Sequence, residues 1–312
     1  MSNVPHMPVE AFFEGPVVSN SSDSGPSESI PLSSRARVVP HDDPDVVRWR
    51  GHTAFSDDTV RQGRRARPYS SFAAIYDKAM GEWALPSVLD AFSESRARFG
   101  IGTGSIADIG CGTGLFLSYL SRFGGALIGV DRSPSMLRLA AKRLRGTPAR
   151  LLRMDMRRLA LPEPVETLSC TFDTINYLLS PSDLAATIRG FARNLLPGGT
   201  LVFDFIPEGA SRGGTRARQS LRIGAIRSEW RIRIDPEGRG SVAAIRLGAP
   251  GHGRHAWTEI HRQRWPSREE VMRALAAAGF DPLDCRPVEP GGAGDWLHVV
   301  ARRAAAASET SR

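Results

Sequence analysis

The residues with the clearest chemical potential form the run Asp108-Ile109-Gly110-Cys111-Gly112-Thr113-Gly114, which leaves an apolar stretch and runs into Leu115, Phe116, Leu117 and Leu120. Glycines let a backbone turn sharply and let a ligand press against it, while a helix start presents free N–H groups to an anion. A glycine loop alone says little. Here two more acids stand at comparable places, Asp131 ending a second apolar stretch and Asp155 following a third in Met154-Asp155-Met156-Arg157. An acid at the end of a second strand can accept both hydroxyls of a ribose. Elsewhere Glu259-x-His261 pairs a carboxylate with an imidazole on a run of strand character. Residues two apart on a strand point the same way, so Glu259 could orient His261 or raise its pKa.

The loop does not fit a dinucleotide. In the G-x-G-x-x-G register the third glycine would fall at 115, which is Leu115, and the glycine stands at 114 instead. A carboxylate at Asp108 would also lie close to a pyrophosphate, and it suits a cationic amino group better. A ligand with an ammonium, a ribose and an adenine, and no pyrophosphate, fits all three acids. That ligand is S-adenosylmethionine (SAM).

These residues need a scaffold of alternating strands and helices. Strands are expected at Ser105–Gly110, Ala126–Asp131, Ala149–Met154, Glu166–Thr171 and Thr200–Phe205. Ser133-Pro134 and Ser180-Pro181 each offer an N-cap followed by proline at the first helical position. Such spacing predicts an α/β fold with a doubly wound, Rossmann-like, mostly parallel sheet. Upstream, Phe72, Ile75, Tyr76, Met80 and Trp83 recur at helical spacing, and a helix is expected over Pro86–Phe99. After Pro207 the period drops to two: Trp230, Ile232 and Ile234, then Ser241–Leu247, then Trp257–Trp265. These read as an antiparallel β insertion after the fifth strand. Ser267-Arg268-Glu269-Glu270 is a capping box for a following helix, and Trp296–Val300 a last strand. The expected division is a disordered tail over 1–66, a SAM-binding core over 67–205 and a β-rich, substrate-side insertion over 206–265. A helix and strand completing the core follow over 266–303, with a frayed end over 304–312.

With those elements placed, residues 69–205 resemble a class I SAM-dependent methyltransferase. Asp108–Gly114, Val130-Asp131, Asp155-Met156 and Leu196-Pro197-Gly198-Gly199 carry the likeness. The resemblance implies that Asp108 and the Gly110, Cys111, Gly112 and Gly114 backbone hold the methionine part. It gives Asp131 the ribose, Asp155 and Met156 the adenine, and Arg132 and Met136 places flanking the adenosine. Cys111 reads as a small filler in the loop. Tyr69, Tyr76 and Asp77, the segment Phe172–Tyr177 and the Glu259-x-His261 strand are similar to a small-molecule subgroup. That subgroup includes glycine N-methyltransferase-like and amino-sugar N,N-dimethyltransferase-like enzymes. It implies Tyr76 and Phe172 near the cofactor, and Tyr177, His261 and Glu259 as catalytic candidates, with Asn176 also in the pocket. Val165-Glu166 departs from the Phe-Asp usual there, at a structural position. The Asn/Asp-Pro-Pro-Tyr/Phe loop of nucleobase and glutamine methylating enzymes is absent. The expected reaction is methyl transfer to a small molecule at an amine nitrogen. A hydroxyl or carboxyl acceptor stays open, and behind it RNA methylation or SAM binding without turnover.

Composition narrows the partners. The 312 residues carry a net charge of +8, but residues 1–60 hold 9 acids and 4 basic residues, so the remainder carries +13. The segment 206–265 has 12 arginines against 5 acids, which suggests an anionic acceptor. No aromatic residues interleave with a basic run, so nucleic acid is not favoured. Three scattered cysteines fit neither a disulfide scaffold nor a zinc site, and no metal is expected. No apolar run reaches the roughly 18 residues of a membrane helix, so a cytoplasmic protein is expected. The oligomeric state is not legible.

Overall fold

The structure, a computed structural model, describes residues 64–211, 216–248, 257–288 and 296–305. The expected tails therefore lie outside the described residues, except at 64–66 and 304–305. Two sheets form the frame. The larger has the order β11 (Phe280–Val288), β12 (Trp296–Arg303), β6 (Leu195–Phe205), β5 (Val165–Cys170), β2 (Ser105–Ile109), β3 (Ala126–Asp131) and β4 (Arg150–Arg153). Its five central and distal strands run parallel, while β12 and β11 close the other edge antiparallel.

Strand periodicity sends alternate residues to opposite faces. Ile106, Leu127 and Val202 face a core built with α1 (Glu82–Phe99), α2 (Leu115–Leu120) and α3 (Pro134–Arg143). Ala107, Ile128 and Phe203 face the other core, with α4 (Pro181–Arg193) and α5 (Arg268–Ala277). The expected caps form: Ser133 Oγ accepts from Met136 N, Ser180 Oγ from Asp183 N and Ser267 Oγ from Glu270 N. The sheet reverses its winding between β2 and β5, and ligands of open α/β folds bind at the strand carboxyl ends there.

The second sheet has the order β1 (Arg64–Ala66), β10 (Trp257–Arg264), β9 (Gly240–Gly248), β8 (Ile226–Ile234) and β7 (Arg216–Ile223). Trp230, Ile232, Ile234, Ile245 and Leu247 form its apolar face, packed on Phe72 and Ile75. This is the antiparallel insertion expected after the fifth strand.

Several boundaries differ from the sequence reading. Arg64–Ala66 lies within the stretch read as tail, yet pairs in parallel with β10. The helix expected from Pro86 begins at Glu82, after a 3-10 turn at Phe72–Ile75 and a π turn at Asp77–Gly81. Gly81 permits this approach, because a Cβ there would stand 2.4 Å from Leu115 Cδ1. Strands β7 and β11 were not expected. β7 reads Arg-Ala-Arg-Gln-Ser-Leu-Arg-Ile, whose apolar alternation is weak, and β11 contains Pro282 and Pro287, which an edge strand tolerates. Pairing with Phe280 also extends the last strand to Arg303. Among the described residues no helix is long and apolar enough to cross a membrane.

Candidate active site

The glycine loop is built on a carbonyl and a carboxylate. Gly110 N and Cys111 N both donate to Val130 O, at 2.7 and 3.0 Å, which brings the loop against the end of β3. Gly112 N donates to Asp131 Oδ2 at 3.0 Å, and Ser133 N to Asp131 Oδ1 at 2.7 Å. Gly110, Gly112 and Gly114 all have positive φ, which is why glycine is needed at these turns. A Cβ on Gly112 would meet nothing nearer than Gly110 O at 3.9 Å, so a ligand can approach this backbone. Cys111 is buried, its Sγ set against Gly129, and burial raises its thiol well above the usual range. That is the behaviour of a filler.

Asp108 is buried at the end of β2 and accepts from Ser169 Oγ at 2.8 Å, with no basic side chain paired to it among the described residues. Burial and, less strongly, the Asp131 charge raise its pKa to about 7, against the Ser169 hydrogen bond. A carboxylate so placed is suited to a cationic ligand group. Burial also raises Asp131, with its backbone hydrogen bonds opposing. Asp155 differs. Burial alone would raise it, but Arg157 grips it through N, Nε and Nη2 at 2.8–3.1 Å and holds it below the usual carboxylate range. Arg132 is exposed, Met136 is buried in the first turn of α3, and Met156 packs half-buried on the core. Asp108, Asp131 and the Asp155 turn thus lie at or just past the ends of three adjoining segments, β2, β3 and β4.

The proton-handling candidates meet. Glu259, fully buried on β10, accepts at Oε1 from Ser71 N (2.5 Å), Phe72 N (2.8 Å) and Ser70 Oγ (3.3 Å). At Oε2 it accepts from Tyr69 N (2.6 Å) and from His261 Nε2 (3.1 Å). A carboxylate only accepts, so it fixes the His261 proton on Nε2. In neutral His261, Nδ1 is then left to accept from Tyr177 Oη at 2.9 Å, and Tyr69 Oη donates to Tyr177 Oη at 2.6 Å. The line Tyr69–Tyr177–His261–Glu259 is a continuous relay. Burial, reinforced by neighbouring charge, pushes both tyrosines well above the ordinary phenol range, so they stay protonated.

Tyr69, Tyr177 and His261 open on a cavity between the two sheets, whereas Glu259 lies behind His261 and does not line it. About 140 Å³ is open to the centre of a water-sized sphere, roughly ten times what one water requires. Its walls are Phe72, Trp83, Trp230, Ile232, Ile245 and Trp265, with Tyr76 and Phe172 among the lining too. Among the described residues Asp173 is the one carboxylate that lines it, and no arginine does. Arg218, Arg222, Arg227, Arg231, Arg233, Arg246 and Arg262 alternate with the inward-facing residues of their strands and so fall on the sheet's other face.

Asp173 and Gln263 were not anticipated. Gln263 Nε2 donates to Asp173 Oδ2 at 2.6 Å, and burial raises Asp173 to about 7 although that bond opposes it. Asp204 on β6 accepts from Phe172 N and Asp173 N at 3.0 and 2.6 Å, holding both residues at positive φ. Gln263 shares the strand face of Glu259 and His261, a signal the alternation already carried. Asn176, read as a pocket group, is instead a clamp: its Nδ2 donates to Ile206 O and Arg264 O and its Oδ1 accepts from Ile206 N. It is fully buried.

A parallel sheet with a glycine loop and carboxylates at successive strand ends defines a nucleoside-cofactor enzyme of Rossmann-like type. Residues 106–199 match the family model described as a methyltransferase domain. The chain is 31% identical to dTDP-4-amino-2,3,4,6-tetradeoxy-D-glucose N,N-dimethyltransferase of Saccharopolyspora spinosa over 62% of this chain and 78% of that protein. It is 29% identical to dTDP-3-amino-3,6-dideoxy-alpha-D-glucopyranose N,N-dimethyltransferase of Streptomyces fradiae over 61% of this chain and 74% of that one. A SAM-bound amino pentose methyltransferase of Micromonospora echinaspora matches in structure with a TM-score of 0.57 and 26% identity, over 76% of this chain and 98% of the other. The chain belongs to the SAM-dependent methyltransferase family, with SAM as its cofactor.

Proposed function

We propose that this enzyme methylates the amine nitrogen of a small molecule whose reacting end is largely apolar. The observation that carries the reading is the cavity: an aromatic and aliphatic enclosure holding the Asp173 carboxylate beside the Tyr69–Tyr177–His261 relay. Aromatic faces and a carboxylate attract an ammonium and offer little to an anion. The relatives whose names specify amino-sugar substrates support a nitrogen acceptor. Among the described lining residues there is no arginine, so the cavity itself gives no support to an anionic reacting group. An oxygen acceptor is the second reading, because the relay would serve a hydroxyl as well.

The cofactor residues are assigned on the same reading. Asp108 and the Gly110–Gly114 backbone hold the amino-acid part, Asp131 the ribose, and Asp155 with Met156 the adenine, flanked by Arg132 and Met136. When bound, SAM supplies a methyl on a sulfonium already electrophilic enough for in-line displacement. This chain aligns the acceptor and removes a proton. Asp173 receives the incoming ammonium, and its pKa of about 7 lets it share the proton near neutrality. The proton released on transfer passes from the acceptor to Tyr177, whose own proton moves to His261 Nδ1. Glu259 stabilises the imidazolium so formed. It acts through His261 and is a positioning residue. The free thiols Cys111, Cys170 and Cys285 support a reducing, cytoplasmic setting.

The test is turnover. Purified enzyme is incubated with SAM and a panel of amino sugars, other small amines, phenols and carboxylic acids, with S-adenosylhomocysteine quantified and products assigned by NMR. N-methyl products are expected. Methylation confined to oxygen overturns the nitrogen assignment.

A further inference from the structure

Residues 69–81 belong to both halves of the site. Tyr69, Phe72, Tyr76 and Met80 line the acceptor cavity, and Glu259 holds the start of the stretch from the second sheet. The stretch is also tied to the cofactor half at two points. Ser133 Oγ donates to Tyr69 O at 2.7 Å, while Ser133 N donates to the Asp131 carboxylate. The second tie is a closed ring of three residues that the methylation reading leaves unused. Thr113 Oγ1 donates to Asp77 Oδ1 at 2.5 Å, and Arg143 Nη2 donates to Asp77 Oδ2 at 2.6 Å. Arg143 Nη1 completes the ring, donating to Thr113 O at 2.6 Å and to Thr113 Oγ1 at 3.0 Å.

Three different elements meet in this ring. Asp77 opens the π turn, Arg143 ends α3, and Thr113 is the residue between Gly112 and Gly114. Both of those glycines have positive φ, so Thr113 supplies the side chain by which that part of the loop is gripped. An exposed ion pair by itself is worth little. Here the side chains of Asp77 and Arg143 are only 25% and 29% exposed, and Thr113 is buried. A planar guanidinium using two nitrogens has a fixed geometry that the point charge of a lysine does not reproduce. Neither Asp77 nor Arg143 lines the cavity.

We propose that Asp77 and Arg143 are positioning residues that carry cofactor occupancy of the glycine loop to the acceptor wall formed by 69–81. The inference rests on the reading that the 110–114 backbone holds the amino-acid part of SAM. A ligand seated on that backbone steadies Thr113. Thr113 and Arg143 then hold Asp77, and with it the adjoining Tyr76, where donor and acceptor must align. Such alignment matters because a shift on the order of 1 Å can cost about 100-fold in rate.

Hydrogen exchange by mass spectrometry on the full chain tests this, with S-adenosylhomocysteine as the probe. The probe is held at about 100 times the dissociation constant measured by calorimetry for each variant. Asp77→Ala releases the 69–81 stretch but leaves Arg143 bonded to Thr113 O, whereas Arg143→Ala removes both contacts. In the native chain the bound probe is expected to slow exchange over 69–81 by about tenfold or more. In both variants the glycine-loop peptides should still gain protection, while 69–81 gains less than about threefold. The affinity of Asp77→Ala for the probe should stay within about threefold of native. A larger gain over 69–81 in either variant overturns the proposal, because the cofactor then reaches that stretch without the ring. A native chain with no probe-dependent protection over 69–81 also overturns it, as does a loss in the variants spread evenly over the whole chain, which marks a fold defect. Failure of the underlying cofactor assignment reads differently: the probe would then protect no peptide over 110–114 in the native chain, and the inference would fall with it.

Discussion

Replacing Glu259 by glutamine separates a structural latch from a catalytic base. The carboxylate accepts from three peptide N–H groups, of Tyr69, Ser71 and Phe72, and from His261, with no exposed surface. A glutamine must turn its NH2 toward one of the two donor sets. Facing Oε2's partners it leaves Tyr69 N–H without an acceptor and forces the His261 proton onto Nδ1, so the Tyr177 bond reverses. Hydrogen bonds to a buried charge contribute about 1.5–3 kcal/mol each, and an orphaned buried donor costs about 1–3 kcal/mol. A loss of about 3 kcal/mol follows, or a fall in Tm of roughly 6–12 °C for a domain of this size. Locally, the amides of 69–72 should exchange with deuterium up to about 100-fold faster, since each 1.4 kcal/mol of opening energy is tenfold. Thermal unfolding by circular dichroism and hydrogen exchange by mass spectrometry read the two effects. A Tm within about 1 °C of wild type, with unchanged protection over 69–72, would refute the latch.

Four further outcomes follow from the site. Asp131→Ala removes the acceptor of Gly112 N and Ser133 N and should weaken SAM binding by about 100-fold in calorimetry; unchanged affinity would sink the ribose assignment. Tyr177→Phe keeps the ring but cuts the relay, so kcat should fall by roughly 100-fold with the KM for SAM unmoved; a shift in KM alone would make Tyr177 a binding residue only. Asp173 has its folded pKa raised to about 7, so its charged form is lost as pH falls through that value. Acceptor kcat/KM should therefore rise with pH through about 7 in the native enzyme, and Asp173→Asn should abolish that limb. The same raised pKa values of Asp108, Asp173 and Asp204, about 7, 7 and 8, have a stability sign. The unfolded chain binds fewer protons than the folded one between about pH 4 and 7, so the ligand-free protein should lose stability as pH rises across that window, seen in Tm against pH.

The cofactor side of this protein is a local matter and was legible in the chain. Asp108, the glycines, Asp131 and Asp155 each sit at a strand end, and strand ends are marked by apolar runs and by caps such as Ser133-Pro134 and Ser180-Pro181. The acceptor side is not local. Tyr69, Asp173 with Tyr177, and His261 come from three segments as far as 192 positions apart, and neither composition nor spacing can say that they converge. Alternation put Glu259 and His261 on one face but left open which way that face looked. Only the packing of β10 over the 69–72 turn made Glu259, a catalytic candidate that could orient His261, the anchor of three peptide N–H groups as well. The arginines show the same division. Their number and their alternation are properties of the sequence, and they invited an anionic acceptor. Which face meets the cavity was decided when Trp230, Ile232, Ile245 and Leu247 buried their apolar surface against Phe72 and Ile75. A sheet covered on one side by apolar packing must put its charges on the other, because moving a guanidinium from water into an apolar core is costly.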